Sequence, residues 1–153
     1  MDLDFPRPSF APALVYKDPR AALQFLEDAF GFEPFMIIKD SGGTILHAEM
    51  RFGDGLIMVG SEWDARTKAP SNTSGANTQT IHVHLTEDIN AHCARARNAG
   101  ATIVVEPADQ FYGDRTYRAL DPEGHLWTFG QTVKTVTPAE WDKVAGTTTS
   151  SRP

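Results

Sequence analysis

The sequence predicts an α+β protein built from two βαβββ modules, each a curved, mostly antiparallel sheet with a helix on its convex face, followed by a short C-terminal helix. Three observations carry that expectation. The order strand, helix, strand, strand, strand can be read twice along the chain, and internal repetition of this kind constrains a fold more than any single segment does. The two predicted helices match in length, one running from Asp18 to a stop at Gly31 and the other from Asp88 to a stop at Gly100. Between the copies lies a polar, turn-rich stretch containing Pro70, Ser71, Asn72, Thr73, Ser74 and Gly75, the composition of a linker. The 153 residues are enough for one ordinary domain. Its expected bounds are 1–146, with the first module at about 8–61, a linker at about 62–78, the second module at about 79–132 and a helix at about 138–145. Residues 147–153 are small and polar and are expected to form a flexible tail.

Each element has a local reason. Ala13, Leu14, Val15 and Tyr16 form an apolar first strand, and Asp18-Pro19 then opens a helix. Asp can cap the first turn, and Pro fits there because its missing N–H would have no helical partner anyway. Ala22, Phe25, Leu26, Ala29 and Phe30 fall at i, i+3, i+4, i+7 and i+8, which is one helix face. Strands follow at 35–39, 46–52 and 56–60, the last two joined by the hairpin signal Gly53-Asp54-Gly55. The second copy reads as a strand at 81–85, a helix face of Ile89, His92, Cys93, Ala96 and Ala99, and strands at 102–106, 115–120 and 125–131. Thr137-Pro138-Ala139-Glu140 is a capping box that opens a last short helix, and Gly146 closes it.

Composition narrows the function. The chain is 41% hydrophobic and 10% aromatic, which excludes a disordered protein. Its formal charge of −6 would repel a phosphate backbone, and no local basic patch offsets it, so no nucleic-acid partner is expected. The longest apolar runs are strand-sized, and the acidic, proline-broken start does not read as a signal peptide; no membrane partner is expected. A single cysteine, Cys93, suits a reducing compartment, and the expected location is cytoplasmic.

Asp18-Pro19 ahead of Ala22-Leu23-Gln24-Phe25-Leu26, then Phe30-Gly31-Phe32-Glu33, His47-Ala48-Glu49-Met50, Ala99-Gly100-Ala101 and Tyr112-Gly113-Asp114-Arg115 occur in order. Asp121-Pro122-Glu123-Gly124-His125-Leu126-Trp127 completes the set, and the likeness it carries covers residues 8 to 132. The ordered set resembles the vicinal oxygen chelate superfamily of glyoxalase I, extradiol dioxygenases and the bleomycin- and fosfomycin-resistance proteins. The resemblance implies that each sheet cups a pocket on the face away from its helix, and that members often pair as homodimers. In metal-using members it implies one ligand on each of four strands, with two open positions for neighbouring substrate oxygens.

Carried over by position, that ligand set is broken. The first-strand place falls near Ala11 and the last-strand place on Thr128, neither a strong ligand, while the third-strand place falls on Glu49. The remaining place depends on register. The resemblance counts to Ile81, but alternation puts Ile81, Val83 and Leu85 into the core and His82 and His84 into the pocket. We follow alternation, because burying two unpaired imidazoles costs far more than absorbing one loop residue. By the same rule Leu46, Ala48 and Met50 face the helix, and His47, Glu49 and Arg51 face the pocket. The preferred expectation is no metal cofactor; the alternative is a displaced divalent-metal site drawn from Glu49, His82 and His84, with His47 as a further candidate.

The expected ligand-binding residues are His47, Glu49, His82, His84, Tyr112, Arg115 and Thr128, with Trp63 and Phe111 as aromatics at the pocket mouth. Arg115 offers a planar fork to a ligand carboxylate or phosphate, or alternatively only stabilises its own turn. Trp127 and Cys93 read as core, and Arg95 and Arg97 as a solvated helix face. Catalytic residues are not identified. The preferred function is small-molecule binding in a polar-aromatic cup, in a homodimer across which the Trp141 helix packs. The alternatives are a metal-dependent lyase, isomerase or dioxygenase using the displaced site, and a structural or interaction protein with a water-filled cup.

Overall fold

Two four-stranded sheets, each backed by one helix, carry the chain in a computed structural model that describes residues 4–153. The first module comprises β1 (Ala13–Tyr16), α1 (Pro19–Phe25), β2 (Glu33–Lys39), β3 (Ile45–Phe52) and β4 (Gly55–Ser61). The second comprises β5 (Ile81–His84), α2 (Ile89–Asn98), β6 (Thr102–Asp109), β7 (Asp114–Leu120) and β8 (Leu126–Thr132), and α3 (Pro138–Ala145) follows. The sheet orders are β1-β4-β3-β2 and β5-β8-β7-β6, so each helix carries the chain from one sheet edge to the other. β1 pairs parallel with β4 and β5 with β8; the remaining pairs are antiparallel.

The helix starts are capped as the residues require. Asp18 accepts the Ala21 N–H at 3.0 Å, and Asp88 accepts the Asn90 N–H at 2.8 Å. α1 continues as a π-helical turn over Leu26–Phe30 and closes on Gly31, whose φ of 79° is the left-handed conformation that glycine adopts without strain. The Thr137–Glu140 capping box forms, with both reciprocal bonds present.

Alternation decides the faces. Leu14, Tyr16, Ala48, Met50, Ile57 and Val59 of the first sheet are buried on the helix side, as are Ile81, Val83, Tyr117, Ala119, Trp127 and Phe129 of the second. One prediction fails here. Leu46 is 59% exposed rather than packed on the helix, because β2 and β3 slip register where Ile38 pairs with His47 but Lys39 pairs with Ile45. A bulge leaves one residue unpaired and re-aims its neighbours.

The modules pack through their helix sides into one core. The Phe30 ring lies 5.3 Å from Trp127 and 4.8 Å from Phe129, centroid to centroid. Arg95, expected to be solvated, instead crosses the junction and donates to the Glu27 and Asp28 carbonyls at the end of the π turn. His92 is fixed by two bonds, Nε2 donating to the Phe30 carbonyl at 2.9 Å while Nδ1 meets the Tyr117 hydroxyl at 2.7 Å. Buried Asp121 accepts from the Tyr16 hydroxyl at 2.7 Å and from Trp127 Nε1 at 3.2 Å, fastening β1 to the β7–β8 turn. His125 Nε2 donates across the same seam to the Val15 carbonyl. This packing leaves one face of each sheet turned away from its helix.

Candidate functional site

On the open face of the first sheet Glu49 is the central group. β3 places His47, Glu49 and Arg51 on one side, and pairing sets Met36 of β2 and Met58 of β4 beside Glu49. Glu49 is only 3% exposed although it faces away from the helix, because the N-terminal segment crosses above it. Arg7 presents its fork to the carboxylate, Nη1 to Oε1 at 3.1 Å and Nη2 to Oε2 at 2.9 Å. His47 Nε2 donates to Oε1 at 3.2 Å. Burial pushes the Glu49 carboxyl up, but the Arg7 and His47 bonds and charges together outweigh it and hold the carboxyl below its ordinary range. Phe5 of the same segment packs 5.4 Å from Phe35, and the Arg51 guanidinium lies over the Phe5 ring.

On the open face of the second sheet a polar row crosses three strands. His82 pairs with Thr128 in register, and Thr128 with Arg118. His82 and His84 are exposed while Ile81, Val83 and Leu85 are buried, as alternation requires. The His82 ring leans over Gly130, where an added Cβ would stand 3.0 Å from Nε2. The sequence reading passed over Arg118 and Arg7. Arg118 was available from the alternation of Tyr117 and Ala119, but Arg7 lies in an irregular segment with no periodicity.

The other expected contacts are dispersed. Arg115 is held by Asp109, at 2.6 Å and 3.2 Å, and Asp114 accepts the Thr132 hydroxyl, so both act within their own hairpin. Phe111 and Tyr112 pack edge to face and are partly exposed. Trp63 is 74% exposed beyond β4. A separate cavity of about 680 Å³ lies at the module junction, lined by Phe5, Phe30, Arg51, Phe52, His92 and Arg95 among others.

The donors do not assemble a metal centre within one chain. Glu49 is on the first sheet, His82 and His84 are on the second, and among the described residues no three His, Cys, Asp or Glu side chains gather closely enough to hold an ion. Both Glu49 oxygens are already engaged, and no buried side-chain polar atom among the described residues lacks a partner.

Comparison with known proteins agrees with the architecture. An uncharacterized protein of Mycobacterium tuberculosis, Rv0887c, is 34% identical over 132 residues, covering 84% of this chain and 77% of that one. The crystal structure of TioX from Micromonospora sp. ML1 is 32% identical with a TM-score of 0.65, covering 85% of this chain and all of that one (100%). The fosfomycin resistance protein FosX from Listeria monocytogenes, complexed with Mn(II) and sulfate, shares the fold at a TM-score of 0.60 and 14% identity over 90% of this chain and 97% of its own. No helix among the described residues is long and apolar enough to cross a membrane. The family model for the Glyoxalase/Bleomycin resistance protein/Dioxygenase superfamily matches residues 10–129, and the chain belongs to that superfamily.

Proposed function

We propose that this protein binds a small molecule on the open faces of its sheets, in the manner of the bleomycin-resistance type, without the four-ligand metal site of its metal-using relatives. The observation that carries the reading is the donor chemistry. By the resemblance, the first-strand ligand place falls near Ala11 and the last-strand place on Thr128, neither a strong ligand, and the remaining carboxylate, Glu49, is clamped by Arg7 and His47. A cation would have to displace a bidentate, charge-assisted pair to reach Glu49. Meanwhile His82, His84 and Thr128 present polar atoms with no protein partner among the described residues, which stability does not require. In this reading His82, His84 and Thr128 orient the ligand on the second sheet, and on the first sheet His47 does so beside Glu49, whose carboxylate stays held by Arg7. Phe111 and Tyr112, in the β6–β7 turn, are the aromatics available to stack on it at the second sheet, Trp63 lies on the other module, and Arg115 serves only if it leaves Asp109.

A two-fold homodimer would cover the open faces. Exposed Ile37 and Ile38 on edge strand β2, and Val104 and Val105 on edge strand β6, supply apolar surface for such pairing. Light scattering at micromolar concentration is expected to give a dimer, and a monomer would overturn that part. Buried, unpaired Cys93 fits residence in a reducing cytoplasm.

The unpartnered imidazoles of His82 and His84 favour a second reading, a metal-dependent lyase, isomerase or dioxygenase whose ligands gather only between two copies. Elemental analysis of protein purified without chelator separates the two. The binding reading expects no stoichiometric divalent ion, and an ion lost on Glu49→Ala would overturn it. Thermal-shift screening with planar antibiotics, α-ketoacid hemithioacetals and catechols is expected to give at least one stabilising ligand, since a molecule that binds only the folded state raises its melting temperature. A chain that none of them stabilises would contradict the reading.

A further inference from the structure

Building on the reading that the open faces hold a small molecule, we propose that the second sheet carries a seat for the carboxylate of an apolar-bodied organic acid, formed by Arg118, His82 and Thr128. The three residues occupy one row. Arg118 lies opposite Thr128, and Thr128 lies opposite His82, on adjacent strands β7, β8 and β5. Side chains directly opposite one another in neighbouring strands start about 5 Å apart, within reach of a single ligand group. All three point away from α2, because their strand neighbours Tyr117, Phe129, Trp127 and Ile81 are buried on the helix side.

Charge singles out this row. The chain carries a net charge of −6, and its other arginines from Arg7 to Arg115 are engaged. Arg7 meets Glu49, Arg51 meets Glu33, Arg66 meets Asp64, Arg97 meets Glu106 and Arg115 meets Asp109. Arg20 and Arg95 donate to backbone carbonyls. Arg118 has no hydrogen-bond, ion-pair or ring partner among the described residues, and the same holds for His82, His84 and Thr128. The carboxylate that β7 places on this face, Asp114, is four residues along the strand from Arg118, about 13 Å at the usual rise, and is already bonded to Thr132.

Shape supports the same assignment. Glycine inside a strand is unfavourable and often marks a close approach. Gly130 on β8 is where the His82 ring lies, with Nε2 3.0 Å and the Thr116 methyl 3.5 Å from the place a Cβ would occupy. The ring therefore reaches over β8 at Gly130, two residues along the strand from Thr128. The planar fork of Arg118 matches a carboxylate in two parallel bonds, and Thr128 and His82 supply further donors. Leu120, Leu126 and Val105 fall on the same face by register and offer surface for the acid's apolar body.

The test is calorimetric titration of the full chain with naphthoate and with its uncharged amide, at low and high salt. Naphthoate is expected to bind at least about tenfold more tightly than the amide, the worth of one charge-assisted contact, and to weaken as salt rises. Arg118→Gln, at an exposed position and with the melting temperature as fold control, is expected to abolish the difference. Arg118→Lys should keep part of it, and Gly130→Ala should reduce it by displacing His82. Amide-resonance shifts on naphthoate addition are expected at residues 82, 118 and 128. Equal binding of acid and amide, indifference to Arg118→Gln, or shifts centred elsewhere would overturn the seat while leaving small-molecule binding intact. Failure of naphthoate together with the whole screening panel would overturn both.

Discussion

Replacing Arg7 by alanine tests how the first open face is held. The change removes both guanidinium bonds, at 3.1 Å and 2.9 Å, from a carboxylate that is 3% exposed, and leaves Glu49 only His47. Bonds to a charged group are worth about 1.5–3 kcal/mol when buried, but half of the Arg7 side chain (52%) is exposed, so solvent screens the pair and water replaces part of the loss. A net cost of about 1–2 kcal/mol follows, or about 3–6 °C in melting temperature for a chain of this size. The sign with pH is fixed by the lowered folded-state value of Glu49. Its contribution is present above the ordinary carboxyl value of 4.5 and is lost as pH falls through the folded value. Without Arg7, burial dominates and the carboxyl moves up. Thermal denaturation of both proteins from neutral pH down through the acid range measures this, with a gap at neutral pH that narrows as pH falls through the folded value. No gap at neutral pH, or one that persists unchanged in acid, would show that Arg7 does not hold Glu49 ionised.

Asp121→Ala strands the Tyr16 hydroxyl and Trp127 Nε1 in the seam between modules, and urea denaturation should show a loss of about 2–5 kcal/mol. Burial, with Arg95 nearby and against the Phe30 bond, lowers the His92 value below its ordinary 6.5. Its neutral form therefore supports the fold fully above that pH, and stability should fall as pH drops below it; His92→Gln should flatten that part of the urea midpoint–pH profile. Gly113 has a φ of 102° and no room for a side chain, since a Cβ would stand 2.1 Å from the Lys134 carbonyl. Gly113→Ala should cost more than about 2 kcal/mol by chemical denaturation.

The fold was legible because its signals are local and repeated. The apolar faces from Ala22 to Phe30 and from Ile89 to Ala99, the stops at Gly31 and Gly100 and the alternation of Ile81, Val83 and Leu85 each depend on neighbours a few residues away. Alternation also aimed His47, Glu49, His82 and His84 away from the helices. What it could not convey was long-range partnership. Arg7 reaches Glu49 across 42 positions and Arg95 reaches Glu27 across 68, and nothing in either segment's pattern marks the target. Leu46 was misplaced because a bulge breaks the period of two from which its direction was read. Arg115 drew attention through its Tyr-Gly-Asp-Arg turn, yet Asp109 on the paired strand claims it, whereas Arg118 stays unpartnered three residues later.

In the proposed function, ligand binding runs on side chains alone. The decisive experiment titrates a stabilising ligand into protein stripped with chelator and then into the same protein resupplied with Mn(II). Equal affinity is expected in both conditions. Binding that vanishes in the stripped protein and returns with the metal would overturn the metal-free reading.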